Sequence, residues 1–184
     1  MDDELTESQE KLLAGLKPKN KKKNSRAKGN AFENKVAKLL NERFNTTDFS
    51  RTPGSGAFAT THKLPQHLQL HGDLITPQDF AWIVECKKGY NDLGMASMLD
   101  RKSKLWEWLD TLDRDCAASN KQGFLLTAQD RRPSIVITKH TEELENQVSK
   151  VAILEQEGRR YIMMYLEEFL ALPDSFFFRR SPLW

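Results

Sequence analysis

Only two cysteines occur in the 184 residues, and Cys86 and Cys116 do not form a C-x-x-C pair. A disulfide framework and a cysteine zinc motif are therefore not indicated. The chain also lacks an apolar run of membrane-spanning length, and Met1-Asp2-Asp3-Glu4 is not the basic start of a signal peptide. We therefore expect a cytoplasmic protein with no membrane partner. The net charge is small, at +2.

The most informative segment places three charged residues next to apolar ones. Asp73 precedes a short apolar stretch, and after a turn the run from Ala81 to Cys86 is apolar except for Glu85. Apolar residues on both faces predict a strand at a central, buried position in a sheet. Glu85 and Lys87 are two residues apart and so share a face. Asp73 can lie beside them across the short connection, which would bring two carboxylates and one ammonium together.

This combination suits metal-dependent phosphodiester hydrolysis. Hard divalent cations such as Mg²⁺ take oxygen ligands and keep several waters, so one or two carboxylates plus a substrate phosphate can hold one. The cation lowers the pKa of its bound water, and Lys87 can orient or deprotonate that water or offset developing charge. The alternative is structural: Asp73 caps a turn, and Glu85 and Lys87 form an ordinary surface ion pair.

The length fits one domain, and the 39% hydrophobic content is ordinary. We predict strands at 123–128 and 134–138, a helix over 98–116, a short helix within 141–150, a hairpin from 151–154 and 160–164, and a closing helix at 166–172. The fold class is α/β, with a mixed sheet. We divide the chain into an arm (1–28), a core (29–138) and a C-terminal extension (139–184), and the last two form a single domain.

Three segments, in order along the chain, resemble the PD-(D/E)xK nuclease superfamily, and within it the archaeal-type and phage Holliday junction resolvases. Residues 28–33 (KGNAFE) are similar to the opening helix with its glutamate, residues 50–56 (SRTPGSG) to an arginine followed by a Gly-Ser-Gly loop, and Asp73 with Glu85-x-Lys87 to the catalytic motif. Two features depart from the pattern. Gly72 stands where the superfamily often has proline, and the segment between Ser55 and Asp73 is longer than in the compact archaeal enzymes.

The resemblance implies a restriction-endonuclease-like core, in which a central mixed β-sheet is flanked by helices. It implies an Mg²⁺-dependent DNA endonuclease, with Mn²⁺ as a possible substitute, acting as a homodimer on four-way or other branched DNA. The expected catalytic residues are Glu33, Ser55, Asp73, Glu85 and Lys87. The expected metal ligands are Glu33, Asp73, Glu85 and the Cys86 carbonyl, and the expected DNA contacts are Lys28, Arg51, Gly54, Ser55, Lys63 and Lys102. A restriction-like or end-processing deoxyribonuclease and a non-catalytic DNA-binding protein are the alternatives.

The charge is distributed unevenly in a way that fits a DNA partner. Residues 17–28 contain seven basic residues and no acid, whereas residues 1–16 contain five acids and one lysine. A flexible cationic arm gains affinity by counterion release, and log affinity falls by roughly 0.9 per log unit of salt for each duplex phosphate contacted. A solvated tail without a partner is the alternative.

Two further features lie outside the motifs. His62, His67 and His71 belong to the long segment before and at the motif, but their spacing matches no Cys/His zinc motif, so we expect solvated loop histidines. The tail carries three phenylalanines at 176–178 and Trp184, and is apolar for a terminus. We expect it to dock on its own domain or on a second subunit, while a stacking platform for unpaired bases is a weaker alternative.

Overall fold

The computed structural model describes residues 25–53, 71–91 and 93–179. The helices are α1 (Ser25–Phe44), α2 (Met95–Leu99), α3 (Lys104–Ser119), α4 (Glu142–Gln147), α5 (Leu166–Leu170) and α6 (Asp174–Phe177). The strands are β1 (Ser50–Arg51), β2 (Leu74–Ile75), β3 (Trp82–Lys88), β4 (Gln122–Ala128), β5 (Ile135–Lys139), β6 (Val151–Gln156) and β7 (Arg159–Tyr165).

The main sheet has five strands in the order β3-β4-β5-β7-β6. β3 and β4 are parallel, and the other neighbours are antiparallel. Alternate residues of β3 enter two different cores: Val84 packs with α1, and Ile83 packs with α3. The two helices therefore cover opposite faces. The prediction of an α/β fold with a mixed sheet flanked by helices is confirmed.

The predicted central position of β3 is wrong. β3 is the end strand of the main sheet, hydrogen-bonded along its length to β4. Its other edge is covered by the short β1–β2 ribbon, and the Asp73 N–H donates to the Val84 carbonyl at 2.8 Å. The apolar residues of β3 predicted that both faces of the strand are buried, and α1 and α3 bury them. The same residues do not predict which strands pair with its two edges.

The helix predicted over residues 98–116 is divided in two. Asp100 leaves the helical region at φ −85° and ψ 107°, and its carboxylate accepts from the Lys102 N–H at 3.0 Å. This turn separates α2 from α3. Lys102, which we placed early in the helix, lies in the exposed turn before it. α3 then runs on to Ser119 and ends at Asn120, which has a φ of 53°.

The predicted hairpin forms from β6 and β7, and helix α5 follows it. The phenylalanines of the tail dock on the chain's own core. The Phe177 carbonyl accepts from the Ala81 N–H at 2.8 Å, and the Phe176 carbonyl accepts from Trp82 Nε1 at 3.0 Å. Docking on the same domain is therefore confirmed for residues 176–178, while Trp184 lies outside the described residues.

α1 begins at Ser25 and so includes Lys28, which we assigned to the arm. Residues 1–24 lie outside the described residues, and the division into arm, core and extension stays a prediction. In the described part of the chain, none of the helices is both long enough and apolar enough to cross a bilayer. The cytoplasmic location also stays a prediction.

Candidate active site

Two hydrogen bonds fix Asp73 against the edge of β3 that faces away from β4. Its N–H donates to the Val84 carbonyl at 2.8 Å, and its Oδ2 accepts from the Cys86 N–H, also at 2.8 Å. One residue thus provides both a main-chain and a side-chain partner for β3. The carboxylate is buried as a result, with 12% of its side chain exposed.

Gly72 makes this close approach possible. Its φ is +79°, and a Cβ atom there would lie 2.6 Å from Ile83 Cγ2 and 2.8 Å from the Val84 carbonyl oxygen. Proline, whose ring fixes φ near −65°, cannot adopt this conformation. The departure from the superfamily's proline therefore goes with a different backbone path into Asp73.

Glu85 and Lys87 point to the same face of β3, as their spacing predicts, and meet Asp73 there. Lys87 Nζ donates to Glu85 Oε1 and lies 3.8 Å from Asp73 Oδ2. Only 20% of the Lys87 side chain and 14% of the Glu85 side chain are exposed. The structure therefore brings together the two carboxylates and the ammonium that the sequence placed on neighbouring segments.

The charges of this trio perturb one another. Burial, followed by the charge of Asp73, raises the pKa of Glu85 from 4.5 to about 7, although Lys87 opposes the shift. Burial lowers the pKa of Lys87, but Glu85 and Asp73 outweigh it and raise that pKa above its ordinary value. A protonated Lys87 is a hydrogen-bond donor, which suits it to orienting a water or a phosphate.

Glu33 is buried on α1 and interacts with Arg51 of β1, whose Nη1 lies 3.6 Å from Glu33 Oε2. Arg51 is joined to the catalytic segment because β1 pairs with β2 and the Thr52 N–H donates to the Asp73 carbonyl at 2.9 Å. Glu33 also acts on Cys86: burial, Asp73, Glu85 and Glu33, in that order, raise the pKa of its thiol. The third carboxylate therefore lies near the trio, with Arg51 as its ion-pair partner.

The donor atoms suit a divalent cation that retains water. Among the described residues, no cluster of three or more His, Cys, Asp or Glu side chains forms a ready-made metal cage. Two carboxylates nevertheless suffice for Mg²⁺. The Cys86 carbonyl adds a third oxygen, because its N–H faces Asp73 and the two main-chain groups of one strand residue point to the same edge. These residues fit such an ion by their chemistry.

The remaining predicted residues are not assembled around the trio. Lys28 and Lys102 are exposed, and no contact in the described structure joins them to it. Gly54, Ser55 and Lys63 lie outside the described residues, as do His62 and His67. His71 is described, and its Nδ1 lies 3.7 Å from Asp115 Oδ1 of α3.

Sequence reasoning missed the contribution of α3 to this site. The charge of Asp115 is the smallest of the causes that raise the pKa of Glu85. The signal that could have found it is the helical spacing that places Asp115 on one flank of α3, seven residues after Trp108. Without knowledge of which flank faces β3, that spacing cannot be assigned to the site.

A mixed sheet between two helices, with two carboxylates and a lysine at the edge of one strand, defines the PD-(D/E)xK class of nucleases. The chain belongs to this superfamily: residues 24–177 match the family described as "Phage putative PDDEXK endonuclease". No curated protein and no solved structure matches the chain. Nucleases of this superfamily generally use divalent metals, and a nuclease of this family would bind DNA.

Proposed function

We propose that the protein is an Mg²⁺-dependent DNA endonuclease that resolves four-way or other branched DNA. The observation that carries the nuclease chemistry is the meeting of Asp73, Glu85 and Lys87 in one largely buried site. The raised pKa of Glu85 supports this, because burial and the charge of Asp73 disfavour a second negative charge there, which a bound cation would offset. Mn²⁺, which also accepts carboxylate oxygens, is a possible substitute.

In this proposal Asp73, Glu85 and the Cys86 carbonyl hold the ion, and Glu33 assists as an accessory ligand of the metal or water. When bound, the ion polarises the phosphoryl oxygen and lowers the pKa of the attacking water. Lys87 orients that water and offsets charge in the transition state. Asp73 is held in place by its two bonds to β3.

Phosphate binding is assigned to Arg51 with the following Gly54 and Ser55. The Glu33 carboxylate holds the Arg51 side chain beside the strand that leads into Asp73. A guanidinium placed in this way presents several N–H donors to a phosphate. The basic arm, which includes Lys28, is proposed to neutralise phosphates farther from the cut. The same role is proposed for Lys63 and Lys102.

The preference for branched DNA and the homodimer rest on the resemblance to resolvases. A homodimer would place two sites against two strands. α2 supplies a surface of the kind that subunit contacts cover, because Met95 and Leu99 are 79% and 76% exposed. Analytical ultracentrifugation at micromolar concentration checks this point, and a monomer under all conditions contradicts it.

The decisive experiment incubates the full chain with a labelled immobile four-way junction, matched linear duplex or single strand. Each substrate is tested with Mg²⁺, Mn²⁺ or EDTA. Glu85→Ala is compared with Glu143→Ala, which removes an exposed acid of α4. We expect paired, metal-dependent nicks at the junction that vanish in Glu85→Ala and persist in Glu143→Ala.

The other outcomes separate the alternatives. Equal cutting of junction and linear duplex keeps the nuclease and removes the junction preference, and cutting at defined duplex sites or from ends indicates a restriction-like or end-processing enzyme. DNA binding without cutting under any divalent cation indicates a non-catalytic binding protein.

A further inference from the structure

Tyr90 is an exposed aromatic residue at the end of the catalytic strand. It follows Lys87 by three residues, so the two Cα atoms are at most about 11 Å apart. One edge contact fixes the ring: its centroid lies 4.5 Å from that of Trp108, at an interplanar angle of 66°. Tyr90 is nevertheless 40% exposed, whereas Trp108 is buried. The contact with the core thus leaves a substantial part of Tyr90 accessible to a ligand.

Tyr90 is tied by its main chain to the turn after β4. The Gly89 N–H donates to the Ala128 carbonyl at 3.1 Å, at a φ of +89° that favours glycine. The side-chain amide of Gln129 donates to the carbonyls of Tyr90 and Leu93 at 3.0 and 2.7 Å. A ring presented on a loop tied in this way loses little conformational entropy on binding.

Tyr90 also lies along the side of α3 that borders the proposed active site. Trp108 and Asp115 are two turns apart on one flank, about 10.5 Å along the helix axis. Asp115 lies 3.7 Å from His71, which is two residues before Asp73. The Trp108 end of this flank contacts Tyr90, and the Asp115 end contacts the segment that leads into Asp73.

Charged residues of both signs lie near the ring. Lys104 at the start of α3 pairs with Glu107 at 2.9 Å, and Asp130 is hydrogen-bonded to Asn91, the residue after Tyr90. The position of the ring therefore carries the argument. A DNA strand bound at the proposed active site can place an unpaired base against an exposed aromatic ring three residues from Lys87, and bases stack on such rings.

We propose that Tyr90 stacks on an unpaired base of the bound DNA next to the scissile phosphate, and so favours substrates that contain unpaired bases at the cutting point. This rests on the proposed function as a DNA nuclease. It names the part of the substrate that the site recognises. Trp108 acts as the support that holds the ring upright.

The test measures DNA affinity by fluorescence anisotropy in EDTA, so that binding is read without cleavage. The probes are a duplex with a short single-stranded gap of thymines and the matched continuous duplex. Tyr90→Leu and Tyr90→Met keep an apolar contact on Trp108 but remove the ring, and Tyr90→Phe keeps the ring. Tyr165→Leu is the control, because Tyr165 is 38% exposed on β7, three strands from β3.

We expect Tyr90→Leu and Tyr90→Met to weaken binding of the gapped duplex about 5- to 150-fold, the range for loss of one stacked base. Continuous duplex should bind as before, and Tyr90→Phe and Tyr165→Leu should bind both probes like the wild type. Thermal melts identify which variants are folded and suitable for comparison. An unchanged affinity of folded Tyr90→Leu or Tyr90→Met for the gapped duplex overturns the proposal. So does an equal loss on both probes, or the same loss in Tyr165→Leu.

The two proposals fail differently. A wild-type protein that binds neither probe in EDTA and also cuts neither with Mg²⁺ or Mn²⁺ contradicts the DNA nuclease itself. A wild-type protein that binds both, with no effect of removing the Tyr90 ring, overturns only the stacking.

Discussion

Two clusters of charged residues lie beside α3, and the pKa of a carboxylate is raised in one and lowered in the other. Beside β3, Asp73 and Glu85 share the single ammonium of Lys87, and burial followed by the charge of Asp73 raises the pKa of Glu85 to about 7. On the other flank of α3, Asp110 accepts hydrogen bonds from both Arg159 and Arg101, which lower its pKa.

The difference separates a cluster in which each cation has a carboxylate partner from one in which two carboxylates share one cation. Asp110 bonds to both Arg101 and Arg159, whose guanidinium carbons each lie 5.5 Å from the Trp106 ring centroid, although Arg159 Nη2 is buried without a hydrogen-bond partner in the described structure. In the buried β3 cluster a second carboxylate charge is costly unless a cation arrives, which is why the pKa of Glu85 is raised. We therefore assign this cluster to the proposed metal site and the Asp110 cluster to stability.

The largest expected effect comes from removing the cation of each cluster. Lys87→Met should lower single-turnover cleavage by roughly 10²–10³-fold, because a donor aimed at the transition state is lost. Arg159→Met should leave cleavage by the folded protein unchanged and lower the free energy of unfolding by about 1–3 kcal/mol, since charge-assisted bonds to Asp110 are lost. Cleavage rates and urea melts measure both. Equal losses of cleavage in Lys87→Met and Arg159→Met would contradict the assignment of different roles to the two clusters.

Gly72→Ala should destabilise the protein by about 2–4 kcal/mol, because a Cβ there meets the Val84 carbonyl at 2.8 Å and φ is positive. Gly158→Ala is the matched control in the β6–β7 hairpin. It has a φ of +75° but no atom within 4 Å of the added Cβ, so it should cost only about 1 kcal/mol. Denaturant titrations compare them, and similar costs would mean that the approach of Gly72 to β3 is looser than described.

Divalent metal should stabilise the β3 cluster and not the other. At a hundredfold excess over Kd, Mg²⁺ should add about 2.7 kcal/mol and raise Tm by about 5–10 °C, and EDTA should reverse the shift. Glu85→Gln should abolish the shift, whereas Asp110→Asn should retain it. Differential scanning fluorimetry without DNA measures this independently of cleavage. A shift that survives Glu85→Gln places the ion elsewhere.

The smallest effect is a pH dependence of the metal-free protein. The folded pKa of Glu85 lies above its ordinary value of 4.5, so the native state binds more protons between pH 4.5 and about 7. Stability should therefore fall as pH rises through that window. Glu85→Gln should flatten the dependence and raise Tm at pH 8, while abolishing cleavage. Asp110 has a lowered pKa, so Asp110→Asn should instead remove stability that is present above pH 3.8 and lost on acidification.

The core of the site could be predicted because it depends on local rules. Glu85 and Lys87 share a face by the alternation of a strand, and the short connection returns Asp73 to the same place. The position of β3 at the end of the sheet could not be predicted, because face burial and edge pairing are independent. The partnership of Glu33 with Arg51 depends on how α1 packs across the sheet.

The same limit applies to the helices and the aromatic residues. The break at Asp100 depends on one side chain bonding to the Lys102 N–H, a local competition that hydrophobic spacing does not record. The contact of Tyr90 with Trp108 depends on where the loop after β3 is tied to β4. The sequence shows that Gly72 departs from the superfamily's proline. The reason, the close approach of its backbone to Ile83, depends on the fold and could not be predicted from the sequence.

The pairing of Asp73 with β3 links catalysis to the solubility of the protein. β3 ends the main sheet, and an uncovered end strand is a template for intermolecular pairing. By bonding to Val84 and Cys86, Asp73 occupies that edge as a substitute for a neighbouring strand. Asp73→Ala would therefore inactivate the enzyme and also leave an unpaired N–H open to another chain. A catalytically dead protein intended for crystallisation with DNA is better made at Glu85 or Lys87, whose side chains leave this edge closed.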